Sequence, residues 1–241
     1  MLDIRANLGR VQEAVARACA RAGRSPDHVL LIAVSKTMAA DRVRLAIEAG
    51  VAALGENRVQ EAKEKIAVLG HPVPWHLIGT LQTNKARDAA RLFDWIHSVD
   101  RMDLARELSR RAGDRVLNVL LEVNLAGEPR KGGVAPAEVK RLAESTMALS
   151  GLRVRGLMAI PPAAEDPEHT RPYFRQLREL RDQLGLEHCS MGMSADYEVA
   201  IEEGATMVRV GTAIFGPRAP LAPPGSPRPS LSPSGRGRGE E

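Results

Sequence analysis

The stretch His28–Lys36, HVLLIAVSK, decides how the rest of the chain is read. Between its polar ends lies an unbroken apolar run rich in β-branched residues. A strand with one face in water alternates polar and apolar side chains, whereas a strand covered on both faces does not. Burial on both faces is what a parallel sheet demands, so this run predicts a strand of an α/β protein. Before it, Leu2 to Ala22 place Ile4, Leu8, Val11 and Val15 at helical spacing, which predicts an amphipathic helix. After it, Asp41 to Gly50 opens on an acid and closes on a glycine, as a helix does.

The strand-then-helix unit recurs. Further strands are expected at Val51–Gly55, Trp75–Gly79, Trp95–Val99, Val116–Asn124, Val154–Met158, Glu187–Met191 and Thr206–Gly211. Helical patterns are clearest at Arg58–Leu69, Met102–Ala112, Pro136–Leu149, Thr170–Leu184 and Tyr197–Glu203. Eight strands alternating with helices predict one (β/α)₈ TIM barrel over residues 1–218, preceded by an extra N-terminal helix. An open doubly wound sheet is the runner-up. In residues 219–241, fourteen of 23 residues are Pro, Gly or Ser, a composition that predicts a disordered tail.

Bulk properties narrow the function. Hydrophobic residues make up 44% of the 241 but aromatics only 3%, so the core must be largely aliphatic. Cys19 and Cys189 stand far apart without CxxC or Cys/His spacing, which argues against a disulfide framework or a metal site and for a cytoplasmic home. No apolar run reaches the roughly 18 residues of a membrane span, and MLDIRANLGR lacks a signal-type apolar block. The pI of 9.4 goes with a net charge of only +4, and arginines are scattered among acids. No basic block is interleaved with aromatics, so nucleic acid is not the expected partner.

In a barrel the C-terminal ends of the strands build the site. Lys36 closes the first strand, where partial desolvation would lower its pKa and make it a usable amine for Schiff-base chemistry. A rim lysine with its ammonium in water is the plain alternative. The loops after strands seven and eight often bind phosphate in this fold; here they read Met191-Gly192-Met193-Ser194 and Gly211-Thr212-Ala213-Ile214-Phe215-Gly216. Arg209 alternates with Val208 and Val210, so it faces away from both; it would serve as a ring-nitrogen partner or in a structural salt bridge. The cluster Gly55-Glu56-Asn57-Arg58, with Gln60 and Glu61, opens a helix and says little alone. Amine, phosphate cup and ring-nitrogen partner together describe pyridoxal 5′-phosphate (PLP).

Longer motifs carry a resemblance over nearly all of Leu30 to Arg218: AVSK (33–36), GENRVQE (55–61), WHLIGTLQTNK (75–85), SVDR (98–101), EVNLAGEPRKGG (122–133), RGLMAIPP (155–162) and SMGMSADYEVAIEEGATMVRVGTAIFGPR (190–218). Together these resemble the pyridoxal phosphate homeostasis proteins, whose barrel is similar to the N-terminal domain of alanine racemases. The resemblance implies a Schiff base on Lys36, phosphate held by Ser194, Gly211 and Thr212, and Arg209 facing the pyridine nitrogen. It further implies that Asn57 and Met158 line the cofactor. Leu54 stands where the family has Phe, Thr83 where Ser is common and Glu122 where Gln is usual; the last adds a carboxylate near the barrel mouth.

The expected function is to buffer or deliver the cofactor to apo PLP-dependent enzymes, as a monomer and without catalytic residues of its own. The alternative is a small amino-acid racemase or decarboxylase. A two-base racemase needs an acid/base group opposite the lysine; alanine racemases supply a tyrosine from a second domain. Only Tyr173 and Tyr197 occur here, both in helical patterns of the barrel.

Overall fold

In the computed structural model, which describes residues 3–217, the deciding stretch is β1 (Leu30–Val34). It is followed by β2 (Ala53–Glu56), β3 (Trp75–Leu77), β4 (Trp95–Val99) and β5 (Leu117–Glu122). Then come β6 (Leu152–Met158), β7 (His188–Ser190) and β8 (Met207–Val210). Each strand pairs in parallel with the next, and β8 pairs with β1, so the sheet closes into an eight-stranded barrel. The expected (β/α)₈ architecture is observed. The expected tail, residues 219–241, lies outside the described residues.

Strand parity divides the core in two. Ala33, Leu54, Trp75, Leu77, Ile96, Leu121, Leu157, Cys189 and Val208 point outward into the shell of helices. Ile32, Ala53, Leu120, Met158 and Met207 point inward and pack together inside the barrel. Gly156 must be glycine, because a Cβ there would lie 2.0 Å from the His188 carbonyl oxygen. Although aromatics are few, Trp75, Phe93, Phe174 and Phe215 are fully buried in the outer layer.

The helices follow their local chemistry. α1 (Ile4–Arg21) is N-capped by the Asp3 carboxylate, which accepts from the Ala6 N–H at 3.1 Å. α2 (Ala40–Glu48), α3 (Val59–Leu69) and α5 (Met102–Ala112) lie within a residue or two of expectation. α4 (Ala86–Leu92) was not singled out by periodicity; it is seven residues long and buries only alanines, Ala86, Ala89 and Ala90. The segment expected as one helix from Pro136 begins as a 3₁₀ turn, Pro136–Glu138, and becomes α6 (Val139–Met147). α7 (Arg171–Gln183), α8 (Tyr197–Glu202) and a short α9 (Thr212–Phe215) are the last helices among the described residues. The second strand starts at Ala53 instead of Val51, because the Val51 N–H bonds the Ala46 carbonyl and closes α2. Among the described residues no helix is long and apolar enough to cross a membrane, and Cys19 and Cys189 are buried free thiols.

Candidate functional site

At the C-terminal mouth of the barrel lies a cavity of about 290 Å³. Its walls include Lys36, Asn57, Ser194, Arg209, Gly211 and Thr212, six of the seven residues expected there. Met158, the seventh, is fully buried with Ile32, Ala53, Leu120 and Met207 and is not one of its walls. The sixth strand's line reaches the cavity two residues later, at Ile160. Strand parity also brings in Val34 and Ile78, which sequence reasoning had not singled out. A larger cavity, about 400 Å³, shares Asn57 but is walled by exposed Arg58, Gln82 and Lys85 and by no glycine loop.

The residues on either side of Lys36 are held by groups of β2 and α3. On its N-terminal side Ser35 is fully buried; its hydroxyl donates to Glu56 Oε1 at 2.6 Å and its carbonyl accepts from Lys65 Nζ at 2.6 Å. Lys65 also pairs with Glu56. Burial pushes the Glu56 carboxyl above the usual carboxylate range, against the pull of Lys65 and Ser35. On the C-terminal side, Thr37 has φ +64°, the left-handed region, which is unfavourable for a β-branched residue. Its N–H donates to Glu61 Oε2 at 2.9 Å. The acids of GENRVQE, which read as ordinary helix-start residues, thus hold the lysine's own turn.

Asn57 continues the inward row of Ala53 and Gly55 beyond β2. Its Oδ1 is buried and has no hydrogen-bond partner. Gly79 packs flat against its backbone, and a Cβ there would come 2.4 Å from the Asn57 carbonyl oxygen.

The opposite wall comes from β7 and β8. Gly192, at φ +88°, lets the chain pass Ala200 and Tyr197, which an added Cβ would approach to 2.6 and 2.9 Å. Ser194 Oγ accepts from the Gly211 N–H at 3.3 Å, tying the two loops together. Gly211 precedes α9, whose first N–H groups have no partner within the helix. The other end of α9 is anchored: Asn7 Nδ2 donates to the Ile214 carbonyl at 2.8 Å and Arg42 Nη2 to the Phe215 carbonyl at 2.6 Å.

Arg209 does face inward, as alternation required. It is buried, donating through Nη1 to Ser190 Oγ at 2.7 Å and through Nη2 to the Ala159 carbonyl at 3.0 Å. Burial pulls its pKa down to about 10, so it stays cationic at neutral pH. Glu122 is not a cavity wall. Its carboxyl is buried in the barrel, with Oε2 unpartnered, near Gly132 and Asp100.

Comparison with known proteins places this geometry. The model of the alanine racemase N-terminal domain matches residues 6–219. The pyridoxal phosphate homeostasis protein of Aquifex aeolicus is 49% identical over 88% of this chain and 96% of its own length. That of Pseudomonas aeruginosa is 48% identical over 92% and 99%. PipY of Synechococcus elongatus, solved with PLP bound, superposes with a TM-score of 0.75 at 41% identity, over 84% of this chain and all of PipY. An alanine racemase of Clostridium difficile shares the fold alone, at a TM-score of 0.69 and 16% identity over 88% of this chain and 56% of its own. The chain belongs to the pyridoxal phosphate homeostasis proteins, within the alanine racemase N-terminal domain family.

Proposed function

We propose that this chain binds PLP on Lys36 and buffers it or hands it to apo PLP-dependent enzymes in the cytoplasm, as a monomer and without turning over a substrate. The observation behind this reading is the make-up of the cavity. Its walls combine an amine, a buried guanidinium and two hydroxyl-bearing turns, and among the described residues they include no Tyr, His, Cys, Asp or Glu.

The residues fit the group. The volume is at the small end of the roughly 300–1,000 Å³ of small-molecule pockets. Ser194, Gly211 and Thr212 would hold the phosphate, where backbone N–H groups at a helix start favour an anion. The unpartnered Asn57 Oδ1 is an acceptor left for a ligand donor. Bound PLP supplies an aldehyde that condenses with a primary amine and a ring able to delocalise charge. Arg209, a donor only, would hold the ring nitrogen as an acceptor and keep it unprotonated, which weakens that delocalisation. Racemisation needs a second acid/base group opposite the lysine, and Tyr173 and Tyr197 sit in α7 and α8 away from the cavity walls. The names of the relatives and the PLP held by PipY support the same reading.

Protein incubated with PLP should turn yellow, and borohydride should fix a phosphopyridoxyl group on Lys36 that is lost in Lys36→Ala. An adduct confined to Lys85 or Lys131 would overturn the assignment. Amino-acid turnover near the enzyme median of roughly 10 per second would replace the carrier with a racemase or decarboxylase.

A further inference from the structure

Beneath Arg209 the barrel interior is polar, and the cofactor reading gives those groups no role. Ser190, His97 and His76 come from β7, β4 and β3, and all three are fully buried. Arg209 Nη1 donates to Ser190 Oγ at 2.7 Å, Ser190 Oγ lies 2.9 Å from His97 Nδ1, and His97 Nε2 lies 2.9 Å from His76 Nδ1. His76 stacks on Trp95 at 5.6 Å between ring centres and 2° between planes, and its Nε2 is buried without a partner.

The cation at one end sets the direction of the chain. A guanidinium only donates, so Ser190 Oγ accepts from Arg209 and has one proton of its own to give. Donating that O–H to His97 Nδ1 makes the neutral His97 a donor at Nε2 and His76 an acceptor at Nδ1. His76 then carries its proton on Nε2, the one group in the row left unsatisfied. With the opposite polarity, the Ser190 proton as well as the His76 Nε2 lone pair would go unpaired, which costs more in a dry interior.

We propose that Ser190, His97 and His76 form a one-directional hydrogen-bond relay that positions Arg209 from below, with both imidazoles held as the neutral Nε2–H tautomer. Arg209 is thereby held by two fixed acceptors, Ser190 Oγ and the Ala159 carbonyl, and its remaining donors are left for the cavity. Ser190 and His97 are positioning residues: they act through Arg209. Burial supports the neutral state, pulling His76 down to about 3 and His97 well below its ordinary value, the latter also through Arg209. The groups around the far end are His188, edge-on to Trp95 at 5.5 Å, and Arg155, 6.0 Å above the Trp95 ring. The function assigned to the relay rests on Arg209 facing the cofactor, but its existence does not.

Nitrogen-15 NMR of the protein without cofactor tests the relay directly. Both His97 and His76 should be neutral with the proton on Nε2 between pH 6 and 8 (about one unit either side of neutrality). Ser190→Ala should shift the His76 ring signals as well as those of His97, although residue 190 does not touch His76. A proton on Nδ1 of either ring, or His76 signals unmoved in Ser190→Ala, would overturn it. With PLP added, Ser190→Ala and His97→Leu should weaken binding roughly tenfold and shift the visible absorption maximum, while Ser190→Thr and His97→Gln should restore most of both. Folded Ser190→Ala with unchanged affinity and absorption would reduce the row to core packing. If the wild type fails to bind PLP at all, the proposed function falls while the NMR arm still decides the relay.

Discussion

At the scale of single residues, the site is an amine presented by a strained turn. Thr37 holds its left-handed backbone because Glu61 accepts its N–H and because Lys65 and Glu56 fix Ser35 on the other side of Lys36. Thr37→Gly should therefore raise stability by about 0.5–1 kcal/mol, the relief of the β-branched strain exceeding glycine's entropy cost. Urea midpoints would measure it, and a loss of stability would show that the threonine side chain matters more than its φ. Glu61→Ala should slow borohydride trapping of PLP on Lys36, because the turn loses its outer hold. On the phosphate side, hydrogen bonds to a charged group contribute about 1.5–3 kcal/mol. Ser194→Ala or Thr212→Val should thus weaken PLP roughly ten- to a hundredfold, and unphosphorylated pyridoxal much less. Equal losses for both ligands, read by titration, would assign the two hydroxyls to folding. That Lys36 and Arg209 reach the cavity was legible in sequence, one from ending an apolar run and the other from interrupting one. Glu61 and Thr37 were not, since a helix-start acid is ordinary and a backbone dihedral leaves no mark on a threonine. Met158 packs inside the barrel one repeat of strand parity below the cavity, and the residue of its strand line among the cavity walls is Ile160.

At the scale of elements, α9 matters beyond its four residues. Its start forms the wall expected to meet phosphate, and its last carbonyls are held by Asn7 on α1 and Arg42 on α2. That would give the extra N-terminal helix a purpose under the proposed function: it pins the turn proposed to meet the phosphate. Asn7 is buried, so Asn7→Ala leaves the Ile214 carbonyl unsatisfied, at a cost of about 1–3 kcal/mol. The variant should melt earlier and also bind PLP more weakly, with pyridoxal affinity changed less. Lower melting with an unchanged PLP-to-pyridoxal ratio would separate α9's position from phosphate binding. Longer amphipathic elements such as α5, Met102–Ala112, were readable to the residue because Leu104 and Leu108 mark the apolar stripe among charged residues. α4 escaped because three buried alanines in seven residues make no visible stripe. The relay of Ser190, His97 and His76 was invisible for a different reason: its members come from three strands, and only barrel closure brings them together.

At the scale of the whole molecule, the barrel interior buries titratable groups away from solvent, and this sets how stability varies with pH. A closed barrel was the reading favoured by eight strands alternating with helices, but the polarity of its interior was not legible, because strands buried on both faces conceal which face a histidine takes. Two opposing contributions follow. His76 is pulled from 6.5 to about 3 by burial, and His97 well below 6.5. The unfolded chain therefore takes up protons below pH 6.5 that the folded chain refuses, and stability falls as pH falls through that range. Glu122 runs the other way: burial, helped by Asp100 and partly offset by Arg209, raises it from 4.5 to about 7. Between those values the folded chain keeps a proton that the unfolded chain has lost, so stability falls as pH rises from 4.5 to 7 and stays lowered above it. Glu56 and Asp196 are pushed in the same direction, also by burial, so the wild-type profile alone cannot isolate Glu122. Glu122→Gln can, because an amide has no proton to lose. The variant should exceed the wild type by about 1–3 kcal/mol at pH 8, since each pH unit separating the folded from the unfolded carboxyl is worth roughly 1.4 kcal/mol. The gap should close as pH approaches 4.5. Urea unfolding of both proteins at intervals across pH 5 to 8 (roughly the range in which the folded and unfolded carboxyls differ in protonation) would measure it. A gap that stays constant with pH would mean that the gain came from packing or from an amide N–H reaching Asp100, and that Glu122 is ionised in the folded barrel throughout.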